Sequence, residues 1–187
     1  MKYLVLRLIF SLVGIIAAMI VYIVLYGSET GQPYDRADFG PAWYDSDGNG
    51  CNTRDDVIRR QLENTIMESR CEVRSGILED PYTSFKHQYP RVPIEIDHVV
   101  SLHDAWYSGA DTWNRNKRIQ FANDTENLVA TTRESNRAKS NRGPDEWLPN
   151  YGPCRYVEQY ARIKAKYDLG MTTEQREKVE SVMSRCP

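Results

Sequence analysis

Val92-Pro-Ile-Glu-Ile-Asp97-His98-Val99-Val100 alternates apolar and polar side chains until it delivers an acid beside an imidazole. A period of two marks a half-buried strand. Successive strand residues face opposite sides, so Asp97 and His98 diverge if both lie inside the strand. Both can serve one site only where the strand ends or bends, which places His98 in the last strand position or just past it. Downstream comes a long insertion in which Trp106 and Trp113 read as core anchors, then a short strand-like run, Glu126-Asn-Leu-Val-Ala130. Ser135-Asn-Arg-Ala-Lys-Ser140 opens a helix, Gly143-Pro144 closes it, and Asp145-Glu-Trp-Leu148 makes a turn or short helix. Strand, strand and helix, with Asp-His, Asn and Asn-x-x-Lys at their tips, make an α+β unit with a polar end.

Four blocks in this order carry a likeness: Asp97-His98-Val99-Val100, Phe121-Ala-Asn-Asp124, Asn127-Leu-Val-Ala130 and Ser135-Asn-Arg-Ala-Lys139. Flanking blocks join them, Asp47-Gly-Asn-Gly-Cys-Asn-Thr-Arg54, Asp80-Pro-Tyr-Thr83 and Gly143-Pro-Asp-Glu-Trp-Leu-Pro149. Together they resemble the exported HNH endonucleases related to the C-terminal domain of GmrSD-type restriction enzymes. The Asn-Arg-x-Lys-Ser run also resembles the HNH domain of RNA-guided nucleases. The likeness runs over residues 34 to 186. It departs from the plain HNH pattern in its last letter, which is Asn136 rather than His.

The resemblance implies a ββα-metal core over about residues 92–142 and hydrolysis of phosphodiester bonds, with DNA favoured and RNA left open. Such hydrolysis needs a deprotonated water and stabilisation of negative charge on phosphate and leaving oxygen. His98, ordinarily titrating near ~6.5, is the expected general base. Asp97 and Asn136 offer two hard oxygens to one divalent cation, a set that suits Mg²⁺ or Mn²⁺ better than Zn²⁺. By the resemblance, Asn127 holds the hairpin so that the imidazole points at the phosphate. Lys139, one turn beyond Asn136, is expected to reach a non-bridging phosphate oxygen. Arg54 and Arg137 are further candidates for phosphate contact. No small-molecule cofactor is expected. His103 reads as structural, because its spacing of five from His98 sends the two rings apart on either a strand or a helix. His87, in a polar loop-like stretch, is left outside the site.

The charge is uneven. The chain totals −2, yet Trp113–Arg142 carries seven basic residues against three acids, enough local positive charge to engage phosphates. Cys51, Cys71, Cys154 and Cys186 are even in number and none forms a CxxC pair, which in an exported chain reads as two disulfides. Residues 155–168 place Tyr156, Tyr160, Ile163 and Tyr167 at helical spacing, and a second helix follows from a Thr172-x-x-Gln175 capping pattern. An antiparallel pair of these helices brings Cys154 to Cys186, leaving Cys51 for Cys71. The second bridge carries a condition. A helix begins near Thr53 with the stripe Ile58, Leu62, Ile66, and if continuous to Ser69 it would hold those cysteines ~25 Å apart. It must therefore end near Asn64 and the chain must double back.

Leu8–Tyr26 is an uncharged apolar run of nineteen residues preceded by Lys2 and Arg7. That length spans a bilayer as a helix, and the flanking charges put the remainder outside. Residues 1–28 are thus a signal anchor, with the membrane as partner through residues 8–26, or a cleaved signal peptide; residues 29–187 form the nuclease domain. Asp45, Asp47, Asn49 and Asp56 occupy positions of a calcium-loop template, against which stands a plain glycine-rich turn tied down by Cys51. The second reading of the whole is therefore a catalytically inactive or Ca²⁺-stabilised exported module that keeps the fold for binding.

Overall fold

The computed structural model describes residues 31–187. Its elements follow in chain order: a 3-10 turn Arg36–Phe39, α1 Thr53–Gln61, β1 Leu62–Met67, β2 Val73–Glu79, β3 Lys86–Tyr89 and β4 Ile94–His98, then α2 Leu102–Tyr107, α3 Arg115–Ala122, β5 Leu128–Thr132, α4 Arg133–Lys139, α5 Pro153–Lys166 and α6 Thr173–Met183. The apolar run Leu8–Tyr26 lies outside the described residues. Among those described, no helix is long and apolar enough to cross a membrane.

β4 and β5 pair antiparallel from Ile94↔Thr132 to His98↔Leu128, and α4 leaves β5 without a gap. This is the expected strand, strand, helix order. The Ile94, Ile96, Leu128 and Ala130 side chains join Val57, Ile58 and Leu78 in one apolar cluster beneath the hairpin. Beyond the strand end, Val99 and Val100 enter a second cluster with Trp106, Phe121, Tyr156 and Tyr160. The hairpin thus runs from one core into the other, and its polar tip sits where they meet.

Where β1 lies, the apolar stripe misleads. The helix ends at Gln61, and Leu62–Met67 becomes a strand paired with β2, which in turn pairs with β3. Apolar side chains four apart suit a helix, but here the Leu62 N–H closes the last helical turn on the Ile58 carbonyl while its own backbone is already extended. His87 is accordingly a residue of β3, not of a loop. The chain does double back, and Cys51–Cys71 forms with Cα atoms 5.3 Å apart. α1 begins at Thr53, as expected, and Asn52 caps it by accepting from the Asp55 N–H. Cys154–Cys186 closes the α5–α6 pair at 5.8 Å, and Thr172 and Gln175 form the full reciprocal capping box at the start of α6.

Two carboxylates, Asp104 and Asp80, fasten the parts around the hairpin. Lys164 on α5 is wholly buried and donates to Asp104 on α2 at 2.8 Å, to Ser108 and to the Gly170 carbonyl, while the Tyr160 hydroxyl donates to the other Asp104 oxygen at 2.7 Å. The insertion between the core strands is thereby tied to the C-terminal helices. Asp80, also wholly buried, accepts from the Tyr82 N–H, from the Thr131 hydroxyl, and from both N–H and hydroxyl of Thr132, all at 2.9 Å. Burial pushes the Asp80 carboxyl up, but the donors from Thr132, Tyr82 and Thr131 outweigh it and hold the group below its ordinary range. Its stabilising contribution is therefore complete above about pH 4 and is lost as pH falls through the depressed folded value. Asp80→Ala orphans the donors at the β5–α4 junction and should cost about 3 kcal/mol, read as a shift in denaturant midpoint. A midpoint unchanged from the parent would show that water satisfies them equally well.

Candidate active site

β4 ends on His98, as the parity argument requires. Its ring is 8% exposed, and Nε2 lies 2.8 Å from the Ala122 carbonyl at the end of α3. A carbonyl only accepts, so Nε2 carries the proton and the neutral ring presents its lone pair at Nδ1. Burial lowers the His98 pKa to about 4, the cations of Arg36 and Lys139 pushing the same way and the Ala122 bond opposing them. The imidazole is therefore unprotonated throughout the neutral range.

Asn127 is wholly buried and grips the chain just past His98. Its side-chain oxygen accepts from the Val100 N–H at 2.8 Å, its amide nitrogen donates to the Val100 carbonyl at 3.1 Å, and its own carbonyl accepts from Val99. A side-chain amide thus replaces a ladder rung where the strands part. The imidazole itself is oriented by Ala122, not by Asn127.

α4 lies on the Glu95 and Asp97 face of the hairpin, with Asn136 and Lys139 on the same side of the helix. The Asn136 amide nitrogen donates to Glu95 at 2.8 Å, which leaves its side-chain oxygen as the end without a hydrogen. Lys139 corrects the expectation. Its side chain is 0% exposed, and its ammonium donates to Asp97 Oδ1 at 2.9 Å and to the His98 carbonyl at 2.7 Å. It points under the hairpin and does not reach outward to a phosphate. Asp97 Oδ2 accepts from the Tyr82 hydroxyl at 2.5 Å. Burial raises the Asp97 carboxyl, with Lys139 and Tyr82 pulling it back. With the His98 backbone N–H, Lys139 and Tyr82 give the Asp97 carboxylate three donors where its two oxygens can accept about four.

A cleft of about 400 Å³ gathers Asp97, His98 and Asn136 with Arg36, His103 and Asn141. Arg36 is the residue missed from sequence, and His103, read there as structural, also lines the cleft. His103 stacks edge-on to Tyr34 at 5.3 Å and lies 4.9 Å from the Tyr107 ring. The spacing argument fails because the strand ends at His98 and a helix starts at Leu102, so neither a strand nor a helix period links the two rings. Arg36 arrives because its 3-10 turn packs on α2 and α3, and nothing local in the sequence signals it. The structure does not bring Arg54 or Arg137 into the cleft lining: Arg54 pairs with Asp55 at 3.5 Å, and Arg137 is exposed on α4.

The Asp45–Asp56 loop satisfies itself. Asp45 accepts from the Asn49 and Gly50 N–H groups, Asp47 accepts from Asn49, and Asp56 pairs with Arg59 at 2.8 Å and accepts from the Asn49 amide. The loop has the form of a glycine-rich turn, with its carboxylates engaged by its own donors and by Arg59. Among the described residues, no three or more His, Cys, Asp and Glu side chains assemble into a metal site. The donors near His98 nevertheless suit a hard divalent ion: Asp97 retains unused acceptor capacity, and the Asn136 oxygen is free of its amide's hydrogen bond.

No solved structure matches the chain. A curated protein of Arthroderma benhamiae described as an uncharacterized secreted protein is 36% identical over 157 residues, covering 82% of this chain and 76% of the relative. The family model for the C-terminal domain of GmrSD restriction endonucleases matches residues 52–179, a span that takes in every strand and Asp97, His98 and Asn136 but not Arg36. The chain belongs to the family of GmrSD restriction endonuclease C-terminal domains.

Proposed function

We propose that the protein is a divalent-metal-dependent HNH endonuclease that hydrolyses phosphodiester bonds outside the cytoplasm, with DNA as its favoured substrate. The single observation that carries this reading is the cleft in which a neutral imidazole, two hard-oxygen donors and the cationic Arg36 converge. His98 takes a proton from the attacking water at Nδ1, while Ala122 holds the opposite nitrogen. The water oxygen forms its bond to phosphorus as the phosphorus–oxygen bond to the leaving group breaks. Arg36 offsets charge on the non-bridging oxygens. Asp97 and Asn136 would hold Mg²⁺ or Mn²⁺, which supplies charge neutralisation at the phosphate and leaving oxygen. Lys139 sets Asp97 and the His98 backbone, and Asn127 sets the strand exit. The named secreted relative and the two disulfides support an address outside the cytoplasm.

Incubation with plasmid and single-stranded DNA tests the reading. Chelation should stop cleavage, and added Mg²⁺ or Mn²⁺ should restore it. Asn136→Ala should raise the metal concentration for half-maximal rate by at least about tenfold. Cleavage at full rate by chelated, metal-free protein would remove the metal from the mechanism.

A further inference from the structure

Beside the cleft lies a second depression, of about 520 Å³, lined by Pro41, Tyr44, Arg115, Asn116, Ile119 and Gln120. The segment from Arg36 to Trp43 separates the two. Arg36 borders the cleft on one side, Pro41 borders the depression on the other, and the hollow beneath them is too small, at about 10 Å³, to pass a ligand. A strand leaving the cleft would therefore cross the exposed surface of Arg36 and Pro41 and arrive at Tyr44.

Tyr44 is unusual in being both exposed and fixed. The residue is 53% exposed. Its backbone is held from two directions: its N–H donates to the Asn123 side chain at 3.0 Å, and its carbonyl accepts from the Thr53 hydroxyl at 2.5 Å and the Thr53 N–H at 3.3 Å. Asn123 directly follows Ala122, the residue that orients His98, so platform and base are positioned by the same end of α3. Asn116, Ile119 and Gln120 fall at helical spacing on one face of α3. The depression thus offers an aromatic face, apolar walls, two amides that both donate and accept, and a guanidinium. That combination fits a nucleobase and its phosphate: the ring stacks on any base, the amides address its edge, and Arg115 meets the negative charge.

Resting on the nuclease reading above, we propose that this depression is a nucleobase subsite, in which one unstacked base of a single-stranded substrate lies on Tyr44 while a phosphate of the same strand occupies the His98 cleft. A duplex keeps its bases stacked on each other and cannot use the ring without paying for unstacking, so the subsite favours single strands or frayed ends.

The test uses the full chain carrying His98→Ala, so that substrate is bound without being cut, and a fluorescein-labelled DNA single strand of about 12 nucleotides beside the same sequence as duplex. Adding Tyr44→Ala should weaken single-strand binding about tenfold and duplex binding far less. Tyr44→Phe, which keeps the ring face, should restore it. Phe85→Ala, removing an aromatic that is 67% exposed but lines neither site, should change nothing. Thermal unfolding checks that the variants fold alike. Unchanged single-strand affinity in Tyr44→Ala, or equal losses for single strand and duplex, overturns the subsite while leaving the nuclease standing. If the unsubstituted protein neither binds nor cuts nucleic acid, the nuclease reading falls and takes the subsite with it.

Discussion

His98→Ala should leave a folded protein whose cleavage rate on DNA is lower by roughly 10²–10⁴-fold, the usual worth of a positioned general base. The loss should appear in kcat. The ring is nearly buried and its Nε2–H satisfies the Ala122 carbonyl, so the substitution also orphans an acceptor, and stability should fall by about 1–3 kcal/mol. With its pKa lowered to about 4 by burial, the base stays unprotonated well below neutrality. The rate should hold as pH drops from 7 toward 5 and decline as pH approaches 4, because protonation removes the lone pair at Nδ1. The same depression acts on folding. Between about pH 6.5 and 4 the unfolded chain takes up a proton on this residue that the folded one refuses, so stability falls as pH falls across that window. A cleavage rate in His98→Ala equal to the parent's would end the assignment.

Lys139→Met should have the largest effect on stability. It leaves the buried Asp97 carboxyl with the Tyr82 hydroxyl as its remaining side-chain donor, and it strips the His98 carbonyl of its ammonium partner. Breaking one side of a buried ion pair costs about 3–5 kcal/mol, measurable by denaturant unfolding. Replacing both partners, Lys139→Met with Asp97→Leu, should recover much of that stability, because an apolar pair in a buried site is often neutral, while cleavage stays lost. The measurement separates two roles. A lysine that touched phosphate would, on removal, raise KM and leave the unfolding midpoint unmoved.

How far the sequence reached depended on how local each cause was. The Thr172–Gln175 box, the α5–α6 disulfide and the end of β4 at His98 were legible, because capping, helix period and strand parity act within a few residues. The end of α1 was placed near Asn64, three residues past Gln61, and β1 itself was not read, because Ile58, Leu62 and Ile66 share a spacing that a helix explains, whereas the cause of the strand is its pairing with β2. Asn136 and Lys139 do share a helix face, as their spacing says. Which way that face turns is decided by packing on β4, and it turns inward. Arg36 and the Ala122 carbonyl reach His98 across long stretches of chain and left no local pattern to read.

The seating of His98 also bears on engineering. The hydrogen-bond acceptor that selects its tautomer is Ala122, from the insertion between the paired strands, and the hydroxyl that fixes Asp97 is Tyr82, from ahead of them. Neither belongs to the strand–strand–helix unit. That unit is therefore not a portable cassette: grafted onto another scaffold with a shortened connection, it would carry the signature residues yet lose the tautomer that makes one of them a base. Transplants should take Arg36 through Lys139 as one piece, which keeps the cleft's arginine and the Asp80 anchor, and shuffling junctions belong outside it.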